Sequence, residues 1–424
     1  MRRTFASTLL AMCCLLVGAR VCTVRPGGTS ITEALAITME CDTIRVLKGT
    51  YREGALTVQR PVVLLGEGWP VIDGGGTGEV IVVNASHVTI SGFVIRGTRV
   101  SDMNDNAAIK CIGVTDIAIT GNRILHCFFG IHLSNVARAT IADNEVIGDE
   151  AVSETRRANG IHLWKCNHVY ILRNTAIHHR DGIYLEFVTD SHVDHNTSAY
   201  NSRYGLHFMF SHRDSYTHNL FHDNGAGVAV MFTRDVTMTD NRFERNRGAS
   251  AYGLLLKEIN DAHIERNLFT DNTVGLLVDG CNRADIRDNR FEANGWAVRV
   301  FANSTAAHYE GNVFTGNTFD MTTNGDLVLS TLQHNYWDRY RGYDLDRDGV
   351  GDVPFRPLSV FALVTERMPY AMVLSRSLMV NLLDQSERLI PTLTPATLED
   401  RAPLMRPPTP GTPTTMNTKG RTAP

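Results

Sequence analysis

The sequence predicts an all-β protein: a single-stranded right-handed parallel β-helix of about 10–12 turns with a C-terminal helical tail. Three observations carry this. The first is a recurring asparagine at Asn122, Asn144, Asn174, Asn196, Asn219, Asn241, Asn267, Asn289, Asn312 and Asn335, at gaps of 22, 30, 22, 23, 22, 26, 22, 23 and 23 residues. A fixed period in this range marks stacked repeats. The second is an apolar residue three positions before each Asn, from Ile119 to Leu332, and Phe221, Phe243, Phe269, Phe291, Phe314 and then Trp337 two positions after it. The third is a glycine followed by alternating apolar residues, as in Gly130-Ile131-His132-Leu133, Gly205-Leu206-His207-Phe208 and Gly227-Val228-Ala229-Val230. Alternation over so few residues is a strand signature.

Each repeat thus reads as two or three short strands joined at corners. Asn and Gly are expected to supply the left-handed backbone those corners need. One turn cannot bury its apolar side alone. Stacked turns align Ile, Val and Phe into a continuous core, and aligned Asn amides bond to one another. A leucine-rich repeat lacks support in the Leu spacing, and a propeller needs a repeat of about twice this length.

The chain begins with Met1-Arg2-Arg3 and an apolar run over residues 5–19, which reads as a secretory signal occupying 1–22. The β-helix is expected over 23–340. Near its start, Ser30-Ile31 followed by Glu33-Ala34-Leu35 predicts a short helix that caps the open core. Residues 98–106, 148–157 and 247–251 are polar insertions, and in coils such loops tend to leave one face, often the binding face. An Asp-rich, calcium-like loop spans 341–357, with Asp344, Asp346, Asp348 and Asp352. It starts like a calcium loop but lacks the terminal bidentate Glu, so calcium and a metal-free turn are both open. Residues 358–405 have helical spacing, with Met372, Leu374, Leu378, Met379, Leu382 and Leu383 as candidate partner-binding residues. Pro and Thr accumulate beyond Pro391, and 406–424 read as disordered.

With 424 residues, 43% hydrophobic, 20% charged and net charge −4, this is a large globular chain and not a polycation for nucleic acid. Eight cysteines have no zinc-motif spacing; Cys166 and Cys281, each eight residues before an anchor Asn, read as small buried ladder residues. Thirteen of sixteen histidines fall between His126 and His263. Strand alternation places His132, His162, Tyr184 and His207 in one outward column and Trp164, Glu186, Met209 and Met231 in the next. Imidazole with thioether suits soft Cu(I), so His132, His162, His207, Met209 and Met231 are candidate copper ligands, against plain surface residues as the alternative. Glu186, Lys257, Asp279 and Arg299 lie on scattered turns, with no compact Asp cluster to serve a polysaccharide lyase or epimerase acting on acidic glycans.

The segment after the coil narrows the reading. Asn335-Tyr336-Trp337-Asp338, Gly342-Tyr343-Asp344, Gly351-Asp352-Val353-Pro354, Leu374-Ser375-Arg376-Ser377, Leu382-Leu383-Asp384, Pro391-Thr392-Leu393-Thr394-Pro395, Asp400 and Pro403-Leu404-Met405 are similar to the NosD family. The resemblance runs from about residue 31 to 406. It implies a non-enzymatic periplasmic protein on an ABC permease and its ATPase, maturing the copper–sulfur site of nitrous oxide reductase with a copper-carrying lipoprotein. It also implies that residues 361–390 dock onto the permease, which would be the only membrane contact, and that the Asp loop closes the coil against the tail.

Overall fold

The computed structural model describes residues 20–39, 42–375, 377–389 and 398–408. Most of the expected leader, Cys41, Arg376, the Pro391–Pro395 motif and residues 409–424 lie outside them.

The chain winds into a parallel β-solenoid of about fourteen turns. Its strands form three parallel sheets of 14, 12 and 13 strands. One turn shows the order: Phe129–Ser134 in the 12-stranded sheet, Ala137–Ala142 in the 14-stranded sheet, Glu145–Ile147 in the 13-stranded sheet. The coil is longer than expected because its first turns use Val and Ile ladders without an anchor Asn, so they carry no countable mark. It also starts earlier. Val21–Val24 is a strand with Val21 opposite Thr43 and Cys22 opposite Ile44, so a leader ending at 22 would cut into the first ladder.

The cap at that end is as expected. Helix α1 (Ile31–Ile37) is preceded by Ser30, whose side chain accepts from the Glu33 N–H, while Glu33 accepts from the Ser30 N–H. That reciprocal pair satisfies two of the donors a helix start leaves open. Ile31 and Ala34 are buried over the first turns.

The anchor asparagines form one continuous internal ladder. Each Asn takes the backbone N–H of the Asn one turn earlier on its Oδ1 at 2.8–3.0 Å. Each Nδ2 in turn donates to the next Oδ1 at 3.0 Å. The left-handed residue at this corner is not the Asn but the residue before it, a glycine as expected only at Gly121 and Gly311: Asp143, Arg173, His195, His218, Asp240, Arg266, Asp288 and His334 also have positive φ. The strand glycines are not left-handed either. A Cβ on Gly227 would lie 2.2 Å from the Gly253 carbonyl oxygen, and on Gly130 it would lie 2.4 Å from that of Gly160. Gly is there for close approach between turns. Beside the Asn ladder the rings of Phe221, Phe243, Phe269, Phe291, Phe314 and Trp337 stack at 4.1–5.6 Å.

The far end is closed by residues the sequence assigned to a helical tail. Asp400 occupies the place of an eleventh anchor: its Oδ2 accepts from the Asn335 N–H and Nδ2 at 3.1 Å and from Trp337 Nε1 at 3.0 Å. Leu332 pairs with Asp400 and Tyr336 with Leu404 as parallel bridges. Residues 398–405 are therefore the last turn of the coil, and among the described residues of the tail only α2 (Val360–Arg367) and α3 (Leu378–Leu389), with a 3-10 turn at Pro369–Leu374, are helical. No helix among the described residues is long and apolar enough to cross a membrane.

One interior residue makes stability depend on pH. Asp214 is buried; its Oδ1 accepts from the Ser191 N–H at 2.8 Å and its Oδ2 has no partner. Burial raises its pKa from 3.8 to about 8. A raised carboxyl pKa favours folding below the unfolded value and withdraws that contribution as pH rises to the folded one. Asp214→Asn, which keeps the acceptor and cannot ionise, is expected to lose less stability than the parent between pH 4 and 8. Urea midpoints across that window measure it; parallel curves would refute the assignment.

Candidate functional site

The outer face of the 12-stranded sheet carries three adjacent columns. Cα pairing sets His132, His162, Tyr184, His207 and Ala229 in one line, as the strand alternation predicts. Trp164, Glu186, Met209, Met231, Lys257 and Asp279 form the second. The third holds the residue before each strand glycine or its equivalent, with Ala107 opposite Phe129, Asp181 opposite Tyr204 and Trp296 opposite Phe319.

That third column changes the character of the histidines. They point away from the coil interior, yet His132 and His207 are only 6% and 3% exposed. Phe129 stacks on His132 at 5.7 Å, and Tyr204 lies over His207 at 4.7 Å. Tyr204 in turn faces Tyr252 at 6.4 Å. The sequence signal for this cover was an aromatic immediately before a strand glycine, at Phe129-Gly130, Tyr204-Gly205 and Tyr252-Gly253. The three polar insertions share the same corner, each entering just before a strand of this sheet: Ala107–Ile112, Ile161–Trp164 and Leu254–Lys257. Asn106, which ends the first insertion, and Ala158 and Tyr252, which directly follow the other two, are buried.

The five candidate copper ligands do not meet in one place. His132 and His162 are neighbours, with ring centroids 4.7 Å apart. Tyr184 then intervenes, its ring 4.8 Å from His162 and 5.0 Å from His207. Burial lowers the pKa of His132 and brings that of His162 down to about 3, so both are neutral imidazoles, the form that ligates metal. His207 is the more telling group. Neither of its ring nitrogens has a hydrogen-bond partner, and the nearest carboxylate oxygen, Asp181 Oδ2, is 3.8 Å from Nδ1. Buried polar atoms are rarely left so. On the same strand face, two residues on, Met209 is half-buried and is the Cα partner of Met231. Met231 leans on the outer apolar cluster of Ala229 and Leu255. An orphaned imidazole beside two thioethers is a donor set that fits Cu(I). The thiols buried in the coil do not compete: Cys111, Cys127, Cys166 and Cys281 are buried and unpaired, and burial lifts the Cys166 thiol to about 11. A thiol held protonated is a poor ligand.

The other candidate groups separate as well. Oxygens of Asp344, Asp346 and Asp348 lie within 4.8 Å of one another, without Asp352. Asp344 already accepts from the Asp348 and Gly349 N–H groups, and Asp352 accepts from the Leu345 N–H. The loop is tied to the final turn by Gly351 N–H to Pro403 O at 2.8 Å and Met405 N–H to Gly349 O at 3.0 Å. It is a closure whose carboxylates are largely engaged by its own backbone. In the tail, Met372 and Leu383 turn inward against Phe319, Phe361 and Val380, whereas Leu374, Leu378, Met379 and Leu382 are 53%, 75%, 75% and 51% exposed. Arg299, a candidate cation for glycan chemistry, is bound by Glu366 of α2 at 2.7 Å.

Comparison with known proteins fits this geometry. The NosD family model, described as periplasmic copper-binding protein, matches residues 147–342, which hold most of the His and Met columns. The probable ABC transporter binding protein NosD of Pseudomonas aeruginosa is 28% identical over 374 residues, covering 84% of this chain and 86% of its own. The chain is thus similar to NosD proteins through most of its length. A relative of the same name from Stutzerimonas stutzeri is 28% identical over 389 residues, covering 86% of this chain and 87% of its own. Among solved structures, the Dettilon tailspike protein matches with TM-score 0.53 at 11% identity, covering 73% of this chain and 68% of that one. The catalytic domain of an α-1,3-glucanase matches with TM-score 0.50 at 11% identity, covering 75% and 69%. At such identity these two share the fold alone.

Proposed function

We propose that this chain is a periplasmic accessory protein of an ABC-type membrane complex and holds copper in passing on the outer face of its 12-stranded sheet, for assembly of the copper–sulfur site of nitrous oxide reductase. The single observation that carries the copper reading is His207, buried with two unpartnered ring nitrogens beside Met209 and Met231. The family description and the names of the relatives support the compartment and the transporter association. Bound Cu(I) would exchange between imidazole and thioether donors without a change of oxidation state. His207, Met209 and Met231 hold it; His162 and His132, two and three turns away along the same column, offer a second resting place. The copper-carrying lipoprotein would approach this face, and the exposed residues of α3 and the preceding turn would meet the permease.

A competition titration with a chromophoric Cu(I) chelator tests the site. The triple variant His207→Ala, Met209→Leu, Met231→Leu is expected to lose one Cu(I) equivalent, or at least about tenfold in affinity, a difference of ~1.4 kcal/mol. Its thermal midpoint is expected to stay close to the parent's, because removing an imidazole with no partners removes a buried polar cost. Unchanged Cu(I) uptake would overturn the assignment.

A further inference from the structure

The metal-ligating groups that the copper reading does not use converge elsewhere, on the 14-stranded sheet at its corner with the 13-stranded one. Asp194 ends the strand His192–Asp194, and His195 follows it at the corner; His218 holds the same corner position one turn on. His195 Nδ1 is 2.7 Å from Asp194 Oδ2, and His218 Nδ1 is 3.2 Å from Asp194 Oδ1. The two imidazoles stack at 4.6 Å with 18° between their planes. One ligand atom from each of the three residues lies within 4.8 Å of the others.

The corner is built and not accidental. Both histidines sit at positive φ, 55° and 53°, directly before Asn196 and Asn219, which the ladder fixes by bonds of 2.9 and 3.0 Å. Asp194 is fixed from the other side by the Thr217 hydroxyl at 2.5 Å. Neighbouring turns fill the same column with opposite charges: Arg173 meets Asp143 at 2.7 Å, and Arg266 meets Asp240 at 3.0 Å. Only here does the column place two like imidazoles face to face with one carboxylate serving both. The histidine side chains are 56% and 51% exposed, so an ion can reach them from solvent.

We infer that Asp194, His195 and His218 form a second metal site, for a borderline divalent cation of the Zn²⁺ and Cu²⁺ class. Two imidazole nitrogens and a carboxylate oxygen, with no sulfur, favour that class over Cu(I). This inference stands on different residues from the copper reading and does not need it.

The test is calorimetric titration of the full chain with Zn²⁺ alone at pH 7.5. The expected result is one equivalent bound, and loss of that equivalent in His195→Asn, His218→Asn; Asn accepts the left-handed backbone, so the corner is kept. The His207, Met209, Met231 variant is expected to retain it, which separates the two sites. With Cu²⁺, nitrogen hyperfine splitting from two imidazoles should appear in the parent and vanish in the double variant. Equal Zn²⁺ stoichiometry in the parent and the double variant, or no binding by the parent, would overturn the inference.

Discussion

Asn241→Ala is expected to cost about 3–5 kcal/mol, among the largest effects a single substitution can have in this chain. The side chain is fully buried and makes five hydrogen bonds: it accepts from Asn219 N–H and Nδ2 and donates to the carbonyls of Tyr216 and Thr239 and to Asn267 Oδ1. Alanine leaves the Asn219 N–H and the Tyr216 carbonyl buried without partners, and each such group costs roughly 1–3 kcal/mol. The effect should be local first, because a solenoid turn contacts only its neighbours. Hydrogen exchange should speed up in the turns around Asn219 and Asn267 before it does near Asn122. Asn241→Asp keeps the acceptors, loses the donors and is expected to be no milder. A cost below about 1 kcal/mol would mean that the ladder is decorative and that the apolar stacks alone hold the coil.

Association with the membrane partner is the second large effect. Replacing Leu374, Leu378, Met379 and Leu382 together by Glu is expected to abolish co-purification with the permease while leaving the melting temperature nearly unchanged. These side chains are more than half exposed, so their loss removes little native packing. Phe361→Ala is the control with the opposite signature. Phe361 is 5% exposed and packs 6.0 Å from Phe319, so its truncation should loosen α2 from the coil and lower stability. Undiminished association of the fourfold Glu variant would refute the docking role.

Much of the fold was legible because a solenoid writes its register into the sequence. The gaps between asparagines gave the turn height, and period-two alternation correctly placed Ile131, Leu206 and Val228 inside, all fully buried. Four features were not legible. The role of the strand glycines was not legible, because sequence shows that a side chain is missing, not whether φ, as at Gly121 and Gly311, or a neighbouring backbone, as at Gly130 and Gly227, demands it. Asp400 could not be seen as the ladder's last rung, since it lies 65 residues beyond Asn335 and carries a different side chain. The burial of His132 and His207 escaped because alternation decides only which face a residue takes. What lies over that face depends on residues from other positions, here Phe129, Tyr204 and Tyr252. The Asp194, His195 and His218 corner was hidden for a similar reason: its histidines are 23 residues apart and meet only through the ladder's register.

The account turns on copper being held by imidazole and thioether on one face of the coil. X-ray absorption at the copper edge, on the full chain loaded with one equivalent of Cu(I), tests this most directly. A shell containing both sulfur and imidazole scattering, with the sulfur lost in Met209→Leu, Met231→Leu, is the result expected. A shell of nitrogen and oxygen alone, or sulfur that persists in that variant, would contradict it.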